Sequence, residues 1–162
     1  MDRSTRRSRL TRRLPDLDAE AFLVTRLPNV RYLSGFSGTN GQLLLTANDG
    51  LFLTDGRYAE AASHEVPDLP PFIYSGDTLD AVVRACRQVG ARRVAFEVDG
   101  LTYRAWSRLR GAGLVLLQGD REVEALRREK DPDEIALIAS AQAIADDAFE
   151  AITGKLAEGV TE

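Results

Sequence analysis

The stretch NVRYLSGFSGTNGQLLLTANDGLFLTDGRY, residues 29–58, decides how the chain is read. Two apolar runs, 42–46 and 51–54, stand on either side of Ala47-Asn48-Asp49-Gly50. An Asn-Asp-Gly junction between two such runs predicts a β-hairpin. Ahead of the hairpin, residues 32–41 crowd three glycines together with Ser37 and Thr39. Behind it, Asp55 stands where a helix opens, with Arg57 and Tyr58 in the first turn.

Toward the N-terminus, residues 21–25 (AFLVT) are a short apolar run that predicts a buried strand. Pro28 and Asn29 predict a turn before Tyr32. Leu10, Leu14 and Leu17 recur at i, i+4 and i+7, which predicts an amphipathic first helix over 5–15 with its arginines in solvent. Toward the C-terminus, 55–66 is helical until the prolines of 67–72 break it. Residues 72–76 predict an edge strand. Leu79, Val82, Val83, Cys86 and Val89 share one face of a helix over 78–90, which Gly90 ends. A strand is expected at 92–98, a helix at 101–113 and a last strand at 114–119. Tyr103 and Trp106 are expected in the core, and Asp99-Gly100 marks a turn and helix start. This order predicts an α/β fold: a mixed, mostly parallel sheet with helices on its faces and an antiparallel hairpin built in.

Beyond residue 120 the chain turns charged and helical. Asp131 is placed to cap a helix, Pro132 to occupy its first position and Glu134 to close a capping box. Ile135, Ile138, Ala141, Ala145, Ala148, Phe149 and Ile152 then form one apolar stripe that needs a partner surface. The remaining TGKLAEGVTE (153–162) is too short to supply it, so this helix is expected to open a further domain.

At 162 residues the chain suits one domain, or one domain plus a fragment of another, and a hydrophobic fraction of 44% is enough to bury a core. The net charge of −4 argues against a general nucleic-acid binder. Residues 1–15 hold six Arg against one Asp, but no apolar segment follows, so they do not read as a secretion signal. No apolar run is long enough for a membrane span. The single Cys86 allows no internal disulfide and points to a reducing, cytoplasmic setting.

The glycine loop fits neither of the chemistries such loops often serve. A nucleophile elbow needs G-x-S-x-G between strand and helix; here Gly35-Phe36-Ser37-Gly38-Thr39 lacks the closing glycine and a strand follows. A phosphate cradle needs a helix N-terminus and usually a lysine, and neither is near. His64 is the only histidine and Cys86 the only cysteine, so no metal-ligand spacing appears. Asp146/Asp147 and Glu122/Glu124 are expected on solvated helix faces. No catalytic residue is assigned.

VTRLPNVRYLSGFSGTNG, followed by LLLT and LFLTDGRYAEAA, resembles the N-terminal domain of the creatinase, prolidase and Xaa-Pro aminopeptidase family of pita-bread metallopeptidases. Lys130, Glu134, Ile135, Ile138 and Ala141 match the segment that opens the catalytic domain in that family. The resemblance implies a three-layer α/β/α domain of ribonuclease-H-like arrangement over 1–120, with 121–162 the linker and first helix of the catalytic domain. It implies a proline-specific exopeptidase, an Xaa-Pro aminopeptidase or Xaa-Pro dipeptidase, that uses two divalent ions (Mn, Co or Zn). The family's ligands, two Asp, one His and two Glu, have no counterpart here, so the chain is expected to be inactive alone.

What the resemblance leaves to this part is substrate gating and homo-oligomer assembly, acting on short proline-containing peptides, with no nucleic acid and no membrane. Phe36, Ser37, Gly38, Thr39 and Asn40 are the expected substrate or partner loop, bent by Gly35, Gly38 and Gly41 at positive φ. Arg57 is expected to form a buried structural ion pair. A non-catalytic protein-binding module related to pita-bread proteins, and an independent small-molecule-binding α/β domain, are the alternatives.

Overall fold

Short runs rich in Leu, Val and Phe become the middle of a six-stranded sheet. The structure is a computed structural model that describes residues 2–155. The strands are β1 (Ala21–Val24), β2 (Gln42–Thr46), β3 (Gly50–Asp55), β4 (Pro71–Tyr74), β5 (Arg93–Phe96) and β6 (Val115–Gln118). They lie in the order β4-β3-β2-β1-β5-β6. Strand β2 is antiparallel to both its neighbours, and the other three pairings are parallel. The expected hairpin is present, with Leu44 opposite Leu51. The expected edge strand is β4, where Pro71 can open the strand because an edge tolerates a missing N–H.

Six helices cover the sheet: α1 (Arg3–Thr11), α2 (Leu27–Ser34), α3 (Ala59–Glu65), α4 (Thr78–Gln88), α5 (Tyr103–Gly111) and α6 (Glu122–Arg128). Alternate strand residues point to opposite faces. Phe22, Val24, Leu43, Leu45 and Phe52 meet Leu10, Val30, Leu33, Ala62 and Val123 on one side. Leu23, Leu44, Leu53, Val94 and Phe96 meet Val82, Cys86 and Leu109 on the other. Both faces are covered, so the strands read as continuous apolar runs. The result is the three-layer α/β/α architecture, with residues 2–128 as one compact unit.

Three local expectations are corrected. Residues 27–34 are helix α2, not a turn: Pro28 sits in the first helical turn after an extended Arg26, where its missing N–H costs nothing. Arginines of α1 are not all in solvent. Arg7, 8% exposed, donates to the Leu33 carbonyl at 2.9 Å and pairs with Asp68. Arg6 donates to the Tyr32 carbonyl at 3.0 Å and lies 4.1 Å from that ring's centre. These two side chains satisfy last-turn carbonyls of α2 that no helical N–H can reach. Finally, Tyr103 is 81% exposed rather than in the core, while Trp106 is half-buried.

Residues from 129 onward form a second unit, built on the helix α7 (Pro132–Thr153). Its capping box is complete: the Asp131 carboxylate accepts from the Glu134 amide at 3.0 Å, and the Glu134 carboxylate accepts from the Asp131 amide at 3.1 Å. Ile135, Ile138, Phe149 and Ile152 are each more than half exposed, and Leu137 and Ile144 widen the apolar arc. A helix so apolar normally lies inside a larger fold. Residues 156–162, the end of TGKLAEGVTE, lie outside the described residues. Among the described residues no helix is long and apolar enough to cross a membrane.

Candidate functional site

Strands β3 and β4 run parallel, and the C-terminal ends of parallel strands are where α/β sheets bind ligands. The glycine loop between α2 and β2 arrives at that end. Gly35 leaves α2 at φ +82°, a left-handed helix cap open to glycine. Phe36 then turns inward and is 2% exposed, its ring 4.7 Å from Phe52 and 5.6 Å from Tyr58. It is therefore part of the core and presents no apolar surface. Gly38 and Gly41 do not have positive φ; they are glycines because a Cβ at either would run into the Phe36 ring.

The rest of the loop is polar and tied to the sheet end. The Ser37 amide and hydroxyl donate to the Glu65 carboxylate of α3 at 2.6 and 2.9 Å. The Thr39 and Tyr58 hydroxyls meet at 2.6 Å. Asn40 is the hub. Its Nδ2 donates to Asp55 at 2.5 Å and to the Tyr74 hydroxyl at 3.1 Å. Its Oδ1 accepts from Gln42 at 3.1 Å, and its carbonyl accepts from Thr54 at 2.5 Å. The Tyr74 hydroxyl also meets Thr78 at 3.0 Å, in the first turn of α4. Gln42 is 9% exposed, and its Oε1 is a buried acceptor with no donor among the described residues.

Asp55 joins the two halves of this cluster. It accepts from the Arg57 amide at 2.9 Å, and Arg57 clasps it bidentately through Nε at 3.1 Å and Nη2 at 2.8 Å. Arg57 first, then Asn40, holds the Asp55 carboxyl well below the usual carboxylate range, so it stays ionised. The same pairing raises Arg57, and the Thr39 contact lowers Tyr58. The Arg57 side chain is 75% exposed, so the ion pair is a surface pair rather than a buried one. The loop residues and Arg57 thus stand in one cluster that displays Ser37, Thr39 and a guanidinium.

A second polar hub lies at the ends of β1 and β5, unmarked in the sequence. Glu97, 4% exposed, accepts from the Thr25 and Arg26 amides at 2.7 and 2.8 Å and from Asn29 at 2.5 Å. Burial pushes its carboxyl up, against the lowering effect of those three donors. Asn29 also donates to Glu124 at 2.7 Å and accepts from Arg127 at 2.8 Å, and Arg26 reaches Glu124 at 2.6 Å. Glu124 is therefore half-buried and engaged, unlike the solvated face expected for it. This hub fastens α6 to the start of α2.

Neither cluster pairs a nucleophile with a histidine or lysine base, and the Ser37 hydroxyl rests on the Glu65 carboxylate at the surface. His64 is exposed, and Cys86 is fully buried, its thiol pushed up to about 11 by burial. Among the described residues no group of three His, Cys, Asp or Glu could hold a metal. The carboxylates at the sheet end are already engaged by Arg57, Asn40 and Ser37, so the donor set does not fit a dinuclear metal centre.

The model of the creatinase/prolidase N-terminal domain matches residues 6–129. The chain belongs to that family. Among curated proteins, this creatinase-type N-terminal domain is 30% identical over 148 residues to an uncharacterized peptidase, YqhT, of Bacillus subtilis, covering 90% of this chain and 42% of that one. Among solved structures it superposes on an Xaa-Pro dipeptidase from Bacillus anthracis with a TM-score of 0.94 and 30% identity, covering 99% of this chain and 46% of the other. The N-terminal domain of the cytoplasmic peptidase PepQ from Mycobacterium tuberculosis is 34% identical with a TM-score of 0.68, covering 75% of this chain and 98% of that one. The creatinase-type domain with its appended helix thus spans less than half the length of the whole-length relatives it matches.

Proposed function

We propose that this creatinase-type domain is the substrate-gating and oligomerising part of a proline-specific metallo-exopeptidase, an Xaa-Pro dipeptidase or Xaa-Pro aminopeptidase. Residues 1–120 make the gating domain, and 121–162 link it to the metal-bearing half, where two divalent ions (Mn, Co or Zn) activate the water. The domain works in the cytoplasm as a homo-oligomer and lays its glycine loop against the peptide bound to a neighbouring subunit. One observation carries this: Ser37, Thr39 and Asn40 of the glycine loop and Arg57 beyond the hairpin share one polar cluster with no histidine or lysine base and no metal-ligand group among the described residues. The buried, undonated Gln42 Oε1 supports it, since an incoming N–H would complete that cluster.

The test is a chimaera in which this chain precedes the remaining half of the Bacillus anthracis Xaa-Pro dipeptidase. Thr39→Ala with Arg57→Ala should raise KM for Xaa-Pro dipeptides about tenfold and leave the unfolding midpoint in place. Xaa-Pro-Yaa tripeptides assayed beside the dipeptides separate the two activities. An unchanged KM in the double variant would remove the gating role.

A further inference from the structure

The α4–α5 side of the domain carries a positive charge that the chain leaves unneutralised. From Ala81 to Leu114 the sequence holds six arginines besides Arg93 against two acids, one of them the buried Glu97. Arg93 pairs with Asp18, and Arg108 takes both acids at the start of α4, Asp77 and Asp80, at 3.0 Å each. The Glu20 carboxylate accepts from the Arg92 and Arg93 amides. Arg84 lies over the Phe72 ring. The guanidinium groups of Arg87, Arg92, Arg104 and Arg110 remain exposed, without a carboxylate partner among the described residues.

These charges surround a groove and a row of aromatic side chains. Arg87 and Arg92 rim a groove of about 400 Å³ floored by Val83, Ala91 and Leu114, at the ends of α4 and α5. Along α5, Tyr103 stacks on Trp106 at 5.9 Å and 27°, and Arg110 covers the Trp106 ring at 4.7 Å. Tyr, Trp and Arg are the residues that dominate binding hot spots, and here they stand in one row on the surface.

We propose that the α4–α5 face docks an acidic peptide segment of a partner protein. An apolar side chain of the segment seats in the groove, and its carboxylates lie on Arg87, Arg92, Arg104 and Arg110. Charge selects the occupant. A second copy presenting the same face across a twofold axis would set arginine against arginine. A nucleic acid would meet a chain of net charge −4 and a groove whose floor offers a phosphate nothing. An acidic peptide with a leucine satisfies both the rim and the floor. This proposal is independent of the gating role.

Trp106 is the only tryptophan, so its emission reports on this face directly. The peptide Ac-Glu-Glu-Leu-Leu-Glu-Glu-NH2, titrated into the full chain, should change that emission saturably, and added salt should weaken the binding. Arg87→Glu with Arg92→Glu should weaken it about tenfold or more, while circular dichroism shows the fold retained, since both side chains face solvent. The matching lysine peptide should give no change. No saturable response, equal binding by the double variant, tighter binding of oligothymidylate, or self-association that the double variant abolishes would each overturn the proposal.

Discussion

Replacing Gly38 by alanine tests whether Phe36 is a fixed strut beneath the loop. The new Cβ would collide with Phe36 Cζ and lie 2.8 Å from Phe36 Cε1 and Tyr58 Cε1. Phe36 cannot swing away cheaply, because its ring is held 4.7 Å from Phe52 and 5.6 Å from Tyr58. Gly38 is not at positive φ, so the cost is steric alone. Overpacking of this kind costs about 1–3 kcal/mol, a large share of the ~5–15 kcal/mol that holds a domain folded. For a domain of this size that lowers Tm by about 4–12 °C. Urea unfolding followed by far-ultraviolet circular dichroism reads it. Gly56→Ala is the control: nothing lies within 4 Å of its Cβ position, so it should change stability by less than about 0.5 kcal/mol. Phe36→Leu frees the space, so Phe36→Leu with Gly38→Ala should be less harmful than the sum of the single changes, by about 0.5 kcal/mol or more. Equal stability of the Gly38→Ala and Gly56→Ala variants, or strict additivity with Phe36→Leu, would refute the strut.

Asn29→Ala removes a fully buried amide bonded to Glu97, Glu124 and Arg127 and should cost at least about 2 kcal/mol by urea unfolding. Glu97 makes stability depend on pH in a sense opposite to most carboxylates. Its folded pKa is raised, so the unfolded chain loses the proton first, and the stability present below the ordinary carboxylate range is lost as pH rises through the folded value. The stability difference between the native protein and Glu97→Gln should therefore shrink from acid toward neutral pH; a constant difference would contradict the assignment. Cys86, fully buried with a raised thiol, should react with a thiol reagent only at the rate of unfolding, so native protein that labels at once would show the α4 packing to be wrong.

Much of the fold was legible because its signals are local. Residues 42–54 announce the hairpin by composition and turn chemistry alone, and Asp131-Pro132-Asp133-Glu134 announces α7. The errors came where tertiary contacts reassign a residue. Asn29, a turn former by propensity, is consumed by Glu97, Glu124 and Arg127, so Pro28 begins a helix instead. Arg6 and Arg7 look like solvated charges until the carbonyls of α2 are found in need of donors. At the site, Ser37, Thr39, Asn40 and Arg57 carried a signal in the loop and in TDGRY. Gln42, Tyr74 and Thr78 carried none, because only the pairing of β3 with β2 and β4 brings them to Asn40. Phe36 was misplaced because a glycine-flanked aromatic in a loop reads as exposed. Its glycines in fact mark the close packing around a buried ring.

Under the proposed function, recognition falls to these residues and hydrolysis to the metal-bearing half. Calorimetric titration of the purified 162-residue chain with Mn²⁺, run beside turnover of Xaa-Pro dipeptides and Xaa-Pro-Yaa tripeptides, tests that division most directly. No saturable metal binding and no cleavage are expected. A stoichiometric divalent ion held by these side chains, or release of the residue preceding proline, would contradict it.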